Sequence, residues 1–264
     1  MSLLVKARPT GRDIVQVTPH SAGWKYVGFS AHRLGRGESI ALNTEGREYC
    51  LVVLSGTVSV QAGDQRWREI GERSSVFDTR AAYSVYVPHH QALSITADTD
   101  AEVALCSATG HGSLPARLIE PANVTQSVRG QGSNTRYVSD ILPQSAPADH
   151  LLVVEVKTPG GHSSSYPPHK HDTDNLPQES FLEETYYHRL NPAQGFAFQR
   201  VYVDDRSLDQ SMAVENHDVV MVPRGYHPVV VPHGYESYYL NVMAGPKREW
   251  HFKNDPAHEW MLQR

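Results

Sequence analysis

The sequence predicts an all-β protein made of two copies of one barrel, and three observations lead to this prediction. Short runs rich in Val, Ile, Tyr and Phe alternate with Gly, Pro, Asn and Asp along the 264 residues, with almost no long amphipathic helical pattern. Regularly spaced short strands with turn signals are typical of sandwiches and barrels. A weak internal repeat relates the two halves of the chain, and histidines gather in the second half.

The clearest predicted strands are short apolar runs bounded by turn-forming residues. They are Tyr49–Val60, Ser84–Val87, Glu102–Ser107, Leu151–Lys157, Glu184–Arg189, Gly195–Val203, Asp218–Val222 and Ser237–Met243.

The internal repeat consists of a glutamate at one strand and a histidine after a later strand that ends in proline. Glu48 is followed by His90 after 42 positions, and Glu184 is followed by His227 after 43 positions. The matching order and spacing predict two barrels of one kind. A pair of closely spaced histidines precedes only the second glutamate, so we expect the first barrel to be structural and metal-free.

The boundary between the barrels is predicted from composition. Residues 127–140 are rich in Gly and Asn, which indicates a loop, and residues 143–147 contain two prolines, which is typical of a linker. We therefore expect the first barrel over residues 1–142 and the second over residues 143–264.

Charge and composition exclude several functional classes. Lys and Arg number 24 against 29 Asp and Glu, a net charge of −5 without a basic cluster, so no nucleic-acid partner is expected. No apolar run reaches the roughly 18 residues of a membrane span. The N-terminus lacks a secretion signal's apolar core, and Cys50 and Cys106 make no disulfide framework. We expect a cytoplasmic protein.

The candidate metal site begins with His169 and His171. Residues two apart on a strand point to the same side, so both imidazoles are predicted to face one way, with Lys170 opposite. Imidazole is a common ligand for Zn, Mn, Fe, Ni and Cu. Two surface histidines would give the same pattern, so the prediction depends on further ligands.

Glu184 and His227 are the remaining predicted ligands. Glu183 is an alternative to Glu184, although strand alternation places Glu183 on the outer face if Glu184 points inward. His227 follows a strand that ends at Pro223, where Pro and Gly predict a bend toward the barrel axis. Three imidazoles and one carboxylate leave coordination positions open, as in catalytic metal sites.

Three segments resemble the bicupin sugar isomerases, and among them the 5-deoxy-glucuronate isomerases of myo-inositol catabolism. They are Arg-Gly-x-Gly-x-Asn-Thr-Arg at 129–136, Pro-Pro-His-Lys-His-Asp at 167–172 and Glu-Glu-Thr-Tyr-Tyr-His-Arg at 183–189. The chain departs from the general cupin pattern in a longer gap between the histidine pair and the glutamate, and in a shorter Pro-to-His turn. The resemblance covers essentially the whole chain, and the 4-deoxy-5-ketouronate isomerases are more distantly similar.

The resemblance implies a double-stranded β-helix (jelly roll) in each half and an aldose–ketose isomerisation. The implied substrate is open-chain 5-deoxy-D-glucuronate, and the implied product is 5-dehydro-2-deoxy-D-gluconate. One divalent ion would act as a Lewis acid on the sugar oxygens. We expect Zn or Mn, and Fe or Ni suit the same donors.

The implied reaction needs a base and a cation for the substrate carboxylate. Glu184, His188 and Tyr186 are candidate bases, because alternation places all three on one strand face. Candidate cations are Arg189, Arg200 and Arg224, since a guanidinium binds a carboxylate bidentately.

Two other functions remain open on the sequence alone. A metal-dependent bicupin dioxygenase would use the same ligand set but requires an apolar pocket for aromatic substrates. A non-catalytic sugar-binding cupin would need no complete metal shell. Either enzyme would have a small-molecule substrate, and because exposed sheet edges often pair between copies, a homo-oligomer is also compatible with the sequence.

Overall fold

The computed structural model describes residues 2–112 and 114–263. Three residues lie outside the described ranges. They are Met1, where the first predicted domain begins, Arg264, where the second ends, and Ser113. Within these described ranges, helix is confined to one turn, α1 at Pro19–Ala22, and to 3-10 turns at Pro121–Asn123, Gly132–Asn134 and Glu259–Gln263. No helix among the described residues is long and apolar enough to cross a membrane.

The first barrel is built from a six-stranded and a four-stranded antiparallel sheet, in the orders β11-β8-β5-β10-β3-β2 and β4-β9-β6-β7. Its strands are β2 (Asp13–Val17), β3 (Gly28–Leu34), β4 (Ser39–Asn43), β5 (Arg47–Ser55), β6 (Val58–Ala62), β7 (Gln65–Ile70), β8 (Ser84–Val87), β9 (Ala92–Ala97), β10 (Ala101–Thr109) and β11 (Arg117–Ile119).

The second barrel has a seven-stranded sheet, β1-β22-β19-β24-β14-β13-β12, a four-stranded sheet, β15-β23-β20-β21, and the short pairs β16-β25 and β17-β18. Its strands are β1 (Leu4–Val5), β12 (Thr125–Arg129), β13 (Arg136–Leu142), β14 (Leu152–Thr158), β15 (Ser163–Ser164), β16 (His169–Lys170), β17 (Asp172–Asn175), β18 (Glu179–Phe181), β19 (Glu183–Asn191), β20 (Phe196–Tyr202), β21 (Asp209–Glu215), β22 (Val219–Val222), β23 (Val229–Val230), β24 (Glu236–Ala244) and β25 (Lys253–Asn254).

The predicted all-β, two-barrel fold is confirmed, with a difference at one predicted strand. The run Tyr49–Val60 is two strands, β5 and β6, because Gly56 turns the chain with a φ of 78°. Only glycine adopts this left-handed conformation without strain.

The sheets also divide the chain earlier than the predicted boundary at residue 142. The hairpin β12–β13, predicted as a loop of the first unit, completes the seven-stranded sheet of the second barrel, and β1 lies on the opposite edge of that sheet. The Gly- and Asn-rich residues that indicated a loop form only its turn at Gly132–Asn134.

Three apolar cores stabilise the molecule. One fills the first barrel around Leu51 and Ile95, one lines the second barrel around Val201 and Val220, and one lies between the two large sheets, where Cys106 and Leu240 are buried. Burial of apolar area of this kind is the main favourable term in folding. The central core joins the barrels through their large sheets and leaves the interior of each barrel separate.

Strand register aligns the two barrels residue by residue. Tyr49 pairs with Val87, just before Pro88, and Glu184 pairs with Val222, just before Pro223. Glu48 is therefore the counterpart of Glu183, and the predicted equivalence of Glu48 with Glu184 is corrected by one residue. A one-residue shift exchanges the two faces of a strand, which spacing counts along the sequence did not resolve.

Candidate active site

Strand β19 presents two different faces to the two barrels. Glu184, Tyr186 and His188 point into the second barrel, whereas Tyr187 and Arg189 point toward the first barrel and contact its Glu102. The alternation of side chains along a strand produces this division. The face that carries Glu184 forms one wall of the candidate site.

Three of the four predicted ligands converge in the second barrel. His171, Glu184 and His227 are buried, and their candidate ligand atoms all lie within 4.8 Å of one another. One Glu184 oxygen lies 2.9 Å from His171 Nε2 and 3.3 Å from His227 Nε2. Within the described residues, this is the one group of three His, Cys, Asp or Glu side chains that could hold a metal ion.

Backbone carbonyls orient both imidazoles toward Glu184. His171 Nδ1 lies 3.0 Å from the Leu182 carbonyl oxygen, and His227 Nδ1 lies 2.8 Å from that of Gly225. Donation from Nδ1 leaves Nε2 as the lone-pair nitrogen, which is the arrangement of metal-ligating histidines. His227 Nε2 is buried without a hydrogen-bond partner in the described structure. A buried orphan nitrogen beside a carboxylate fits a bound cation.

The electrostatics of the two histidines differ. Burial lowers the pKa of His227 to about 3, so its imidazole is neutral at physiological pH. Burial also disfavours the charged form of His171, but the hydrogen bond and charge of Glu184 outweigh it and raise the pKa of His171. Because a metal ion competes with that proton, binding would release it.

His169, the fourth predicted ligand, lies beside the other three but outside their tight group. Its ring centroid is 4.9 Å from that of His227 and 6.4 Å from that of His171. Lys170 points away and forms ion pairs with Asp172 and Glu179, as the alternation predicts. His169 therefore reaches the site from its open side.

Glu183, the alternative ligand, is engaged elsewhere. Its carboxylate accepts hydrogen bonds from the backbone N–H groups of residues 25–27 in the first barrel, at 2.7 to 3.0 Å. The structure therefore places Glu184, and not Glu183, with the histidines.

A cavity of about 390 Å³ opens in front of Glu184. Its lining combines hydroxyls, amides, aromatic rings and two guanidinium groups. The polar and aromatic lining residues are Arg129, Asn134, Arg136, Ser165, Tyr166, His169, Glu184, Tyr186, Tyr239, Asn241, Trp250, Phe252 and Asn254. Such a lining is suited to a small polar, acidic molecule.

The three predicted substrate-binding arginines do not line this cavity. Arg189 lies on the opposite face of β19 and pairs with Glu102. Arg200 points outward from β20 to Asp209, and Arg224 is exposed in the turn after β22. The prediction is corrected because strand alternation directs the first two away from the barrel interior.

The two other predicted catalytic side chains lie at different depths. Tyr186 lines the cavity, and its hydroxyl is 2.9 Å from Ser165 Oγ. His188 lies behind Tyr186, with its Nε2 2.9 Å from the Gln199 side-chain oxygen, and burial lowers its pKa to about 4. Gln199 in turn donates to the His227 carbonyl at 3.2 Å, so His188 supports a ligand-bearing segment.

The C-terminal segment crosses the mouth of the cavity. Strand β25 pairs with β16, so that Asn254 is opposite His169, and the Asp255 N–H donates to the Pro168 carbonyl at 2.8 Å. The Phe252 ring lies 4.7 Å from the His169 ring. This strap, residues 250–255, was not predicted, because no local motif marks a segment that acts by lying across a distant strand.

Sequence reasoning also missed Arg129 and Arg136. They end β12 and begin β13 and both line the cavity. The segment that contains them carried part of the family resemblance, but its Gly and Asn content indicated a loop. The two arginines that bracket a tight turn were the available signal.

The comparisons with known proteins agree with this geometry. A family model described as the KduI/IolB family matches residues 3–261. The chain belongs to this family. It is 56% identical over 251 residues to the 5-deoxy-glucuronate isomerase of Geobacillus kaustophilus, covering 95% of this chain and 91% of that one. It is 53% identical over 250 residues to the 5-deoxy-glucuronate isomerase of Bacillus subtilis strain 168, covering 94% and 92%.

Solved structures place this KduI/IolB family member in the bicupin fold. An IolB-like protein from Salmonella typhimurium has a TM-score of 0.98 and 54% identity, covering 99% of this chain and all of that one. The oxalate decarboxylase of Lactobacillus farciminis has a TM-score of 0.69 and 13% identity, covering 100% and 91%. At that identity, the likeness concerns the fold alone.

Proposed function

We propose that this protein is a 5-deoxy-glucuronate isomerase that converts 5-deoxy-D-glucuronate to 5-dehydro-2-deoxy-D-gluconate in the breakdown of myo-inositol. The observation that carries the proposal is the buried group of His171, Glu184 and His227, with Glu184 at the wall of a cavity that also contains Arg129 and Arg136. Similarity over nearly the whole chain to proteins named as this isomerase supports it.

The proposed metal ligands are His171, Glu184 and His227, with His169 as the fourth. Three imidazoles and a carboxylate suit a divalent ion, with Zn or Mn favoured and Fe or Ni compatible. When bound, such an ion supplies Lewis-acid polarisation of the sugar carbonyl and the adjacent hydroxyl. The chain's own contribution is to orient His171 and His227 through the Leu182 and Gly225 carbonyls.

The isomerisation moves a proton from C2 to C1 of the aldose and a second proton between the two oxygens. Among the predicted bases, Glu184 and Tyr186 line the cavity. We assign transfer of the carbon-bound proton to a Glu184 carboxylate oxygen that the ion would leave free, because a carboxylate is the stronger base of the two at neutral pH. Burial and the charge of Glu184 raise the pKa of Tyr186, so its hydroxyl stays protonated and can donate to a sugar oxygen.

The dioxygenase alternative has less support. The cavity lining mixes apolar side chains, among them Val138, Val154 and Val156, with two arginines and several hydroxyls and amides, so the lining alone does not decide between the two enzyme classes. The relatives that the chain matches over nearly its whole length are named isomerases.

The test is turnover of 5-deoxy-D-glucuronate in D₂O, with metal analysis of the purified protein. We expect isomerisation, loss of bound metal and turnover in His171→Ala, and deuterium on the new CH₂OH carbon of the product. Exposed His90 in the first barrel provides the matched control, since His90→Ala should retain both metal and turnover. Full turnover by metal-free His171→Ala would contradict the metal site, and product without deuterium would argue against proton exchange through Glu184.

A further inference from the structure

Two arginines face each other across the hairpin β12–β13. Arg129 and Arg136 are directly opposite in the antiparallel register. Like charges opposite one another on neighbouring strands destabilise a sheet unless an anion offsets them. The pair lies at the wall of the cavity that also contains Glu184 and His169.

The protein's own carboxylates offset this charge only in part. Arg129 Nη2 lies 3.5 Å from Asp140 Oδ1, and its guanidinium lies 5.8 Å from the Trp250 ring centroid. Arg136 Nη1 donates to the Asn134 carbonyl at 3.0 Å. In the part of the chain that the structure describes, no Asp or Glu forms an ion pair with Arg136.

The arginines also affect the metal side of the cavity. Burial is the main reason that the pKa of His169 falls to about 3, and the charges of nearby His171, Arg136 and Arg129 act in the same direction. The pKa of Arg136 is likewise lowered, first by burial and further by the charge of Arg129. The two guanidinium groups and the candidate ligands therefore share one electrostatic environment.

We propose that Arg129 and Arg136 together bind the carboxylate of the sugar acid and so select acidic over neutral sugars. The inference rests on the proposed function for the identity of the sugar. Two guanidinium groups supply several N–H donors, and bidentate Arg–carboxylate pairing has the directionality to fix one end of the substrate. The aldehyde end is thereby directed to Glu184, and the long 3.5 Å contact leaves Arg129 free to exchange Asp140 for the ligand.

The experiment compares acidic and neutral sugars in wild-type protein, Arg129→Met, Arg136→Met and Arg68→Met. Methionine keeps much of the apolar stem but removes the charge. Arg68 is exposed on β7 of the first barrel and serves as the control. Steady-state turnover uses 5-deoxy-D-glucuronate and 5-deoxy-D-glucose, and calorimetric binding uses D-glucuronate and D-glucose.

We expect each cavity variant to raise KM for 5-deoxy-D-glucuronate by about 10- to 100-fold, the range of charge-assisted hydrogen bonds. The kcat should fall less, and kcat/KM for 5-deoxy-D-glucose and the metal content should stay unchanged. Arg68→Met should match the wild type. Equal losses on the acidic and neutral sugars, or unchanged KM for the acid, would overturn the inference.

Calorimetry separates this inference from the proposed function. Wild-type protein that fails to isomerise 5-deoxy-D-glucuronate contradicts the proposed function. D-glucuronate binding that is stronger than D-glucose binding, and that weakens in Arg129→Met and Arg136→Met, still supports the carboxylate site in that case. Wild-type protein that binds D-glucuronate no better than D-glucose would contradict the carboxylate site whatever the turnover result.

Discussion

The two barrels share one strand register but carry different side chains at corresponding positions. Where the second barrel has Glu184 and Tyr186, the first has Tyr49 and Leu51, since both pairs occupy matching places against the neighbouring strands. Leu51 is fully buried in the apolar core of the first barrel. The backbone framework therefore does not by itself create the site, which depends on polar residues at a few inward positions.

On the adjoining strands the comparison is reversed: the first barrel carries the polar side chains and the second barrel carries the apolar ones. Val138 and Val156 pair across β13–β14, and Asp13 and His32 occupy the matching places across β2–β3. His32 Nδ1 lies 2.8 Å from Asp13, and its Nε2 lies 2.8 Å from Ser30. The polar groups at these places in the first barrel thus bond with one another, whereas in the second barrel His227 Nε2 lacks a hydrogen-bond partner within the described residues.

One feature is common to both barrels. Glu48 accepts backbone N–H groups of residues 149–151 in the second barrel, and its counterpart Glu183 accepts those of residues 25–27 in the first. Each carboxylate thereby links its own barrel to a segment that leads into a strand of the other barrel. The neighbouring position, Tyr49 or Glu184, is the one that differs, so structural and chemical roles occupy adjacent residues.

The largest expected effect separates those adjacent residues. Glu184→Gln should lower turnover by at least about 1,000-fold and release the metal, because it removes a charged ligand and the assigned base. Glu183→Gln should retain the metal but lose about 1–3 kcal/mol of unfolding free energy, because its amide nitrogen cannot accept the backbone N–H groups. Metal analysis, steady-state assays and urea unfolding measure these outcomes. Equal metal loss in both variants would contradict the division of roles.

The next effect concerns the contact between barrels. Arg73 of the first barrel and Glu155 on β14 form a buried ion pair at 2.9 Å, and Tyr238 also donates to Glu155. Arg73→Met leaves the carboxylate buried without its cation and should cost about 3–5 kcal/mol in urea unfolding. The exposed pair of Arg80 with Glu72 is the control, where Arg80→Met should cost less than about 1 kcal/mol. Similar losses in the two variants would show that burial of the pair is unimportant.

The smallest effect tests the strap over the second barrel. Phe252→Ala removes the ring that contacts His169 and should weaken metal binding by about 2- to 10-fold, the range of one aromatic contact. Phe198 on β20 is similarly exposed, 49% against 47%, and lies outside the cavity lining, so Phe198→Ala should leave metal affinity unchanged. Competition with a chelator gives both affinities. Equal affinities for the two variants would show that the strap does not position His169.

The sequence by itself determined the all-β class, the duplication and most of the candidate site. The alternating strand pattern at 184–188 predicted which side chains share a face, and the Pro-containing turn after β22 predicted that His227 would be directed inward. These features are local, because alternation and turn chemistry depend on neighbouring residues. The bounds of the first predicted strand were wrong because one glycine, Gly56, divides that run into two strands. The alignment of Glu48 with Glu184 was wrong by one residue of strand register.

Only the tertiary structure decided that Arg129 and Arg136 reach the cavity, that β12–β13 belongs to the second barrel, and that residues 250–255 cross its mouth. Each of these depends on pairing between segments far apart in the chain, such as His169 with Asn254. Long-range strand pairing leaves no periodic signal within either segment. The sequence therefore predicted the chemistry of the second barrel, and the sheet register decided which polar residues surround it.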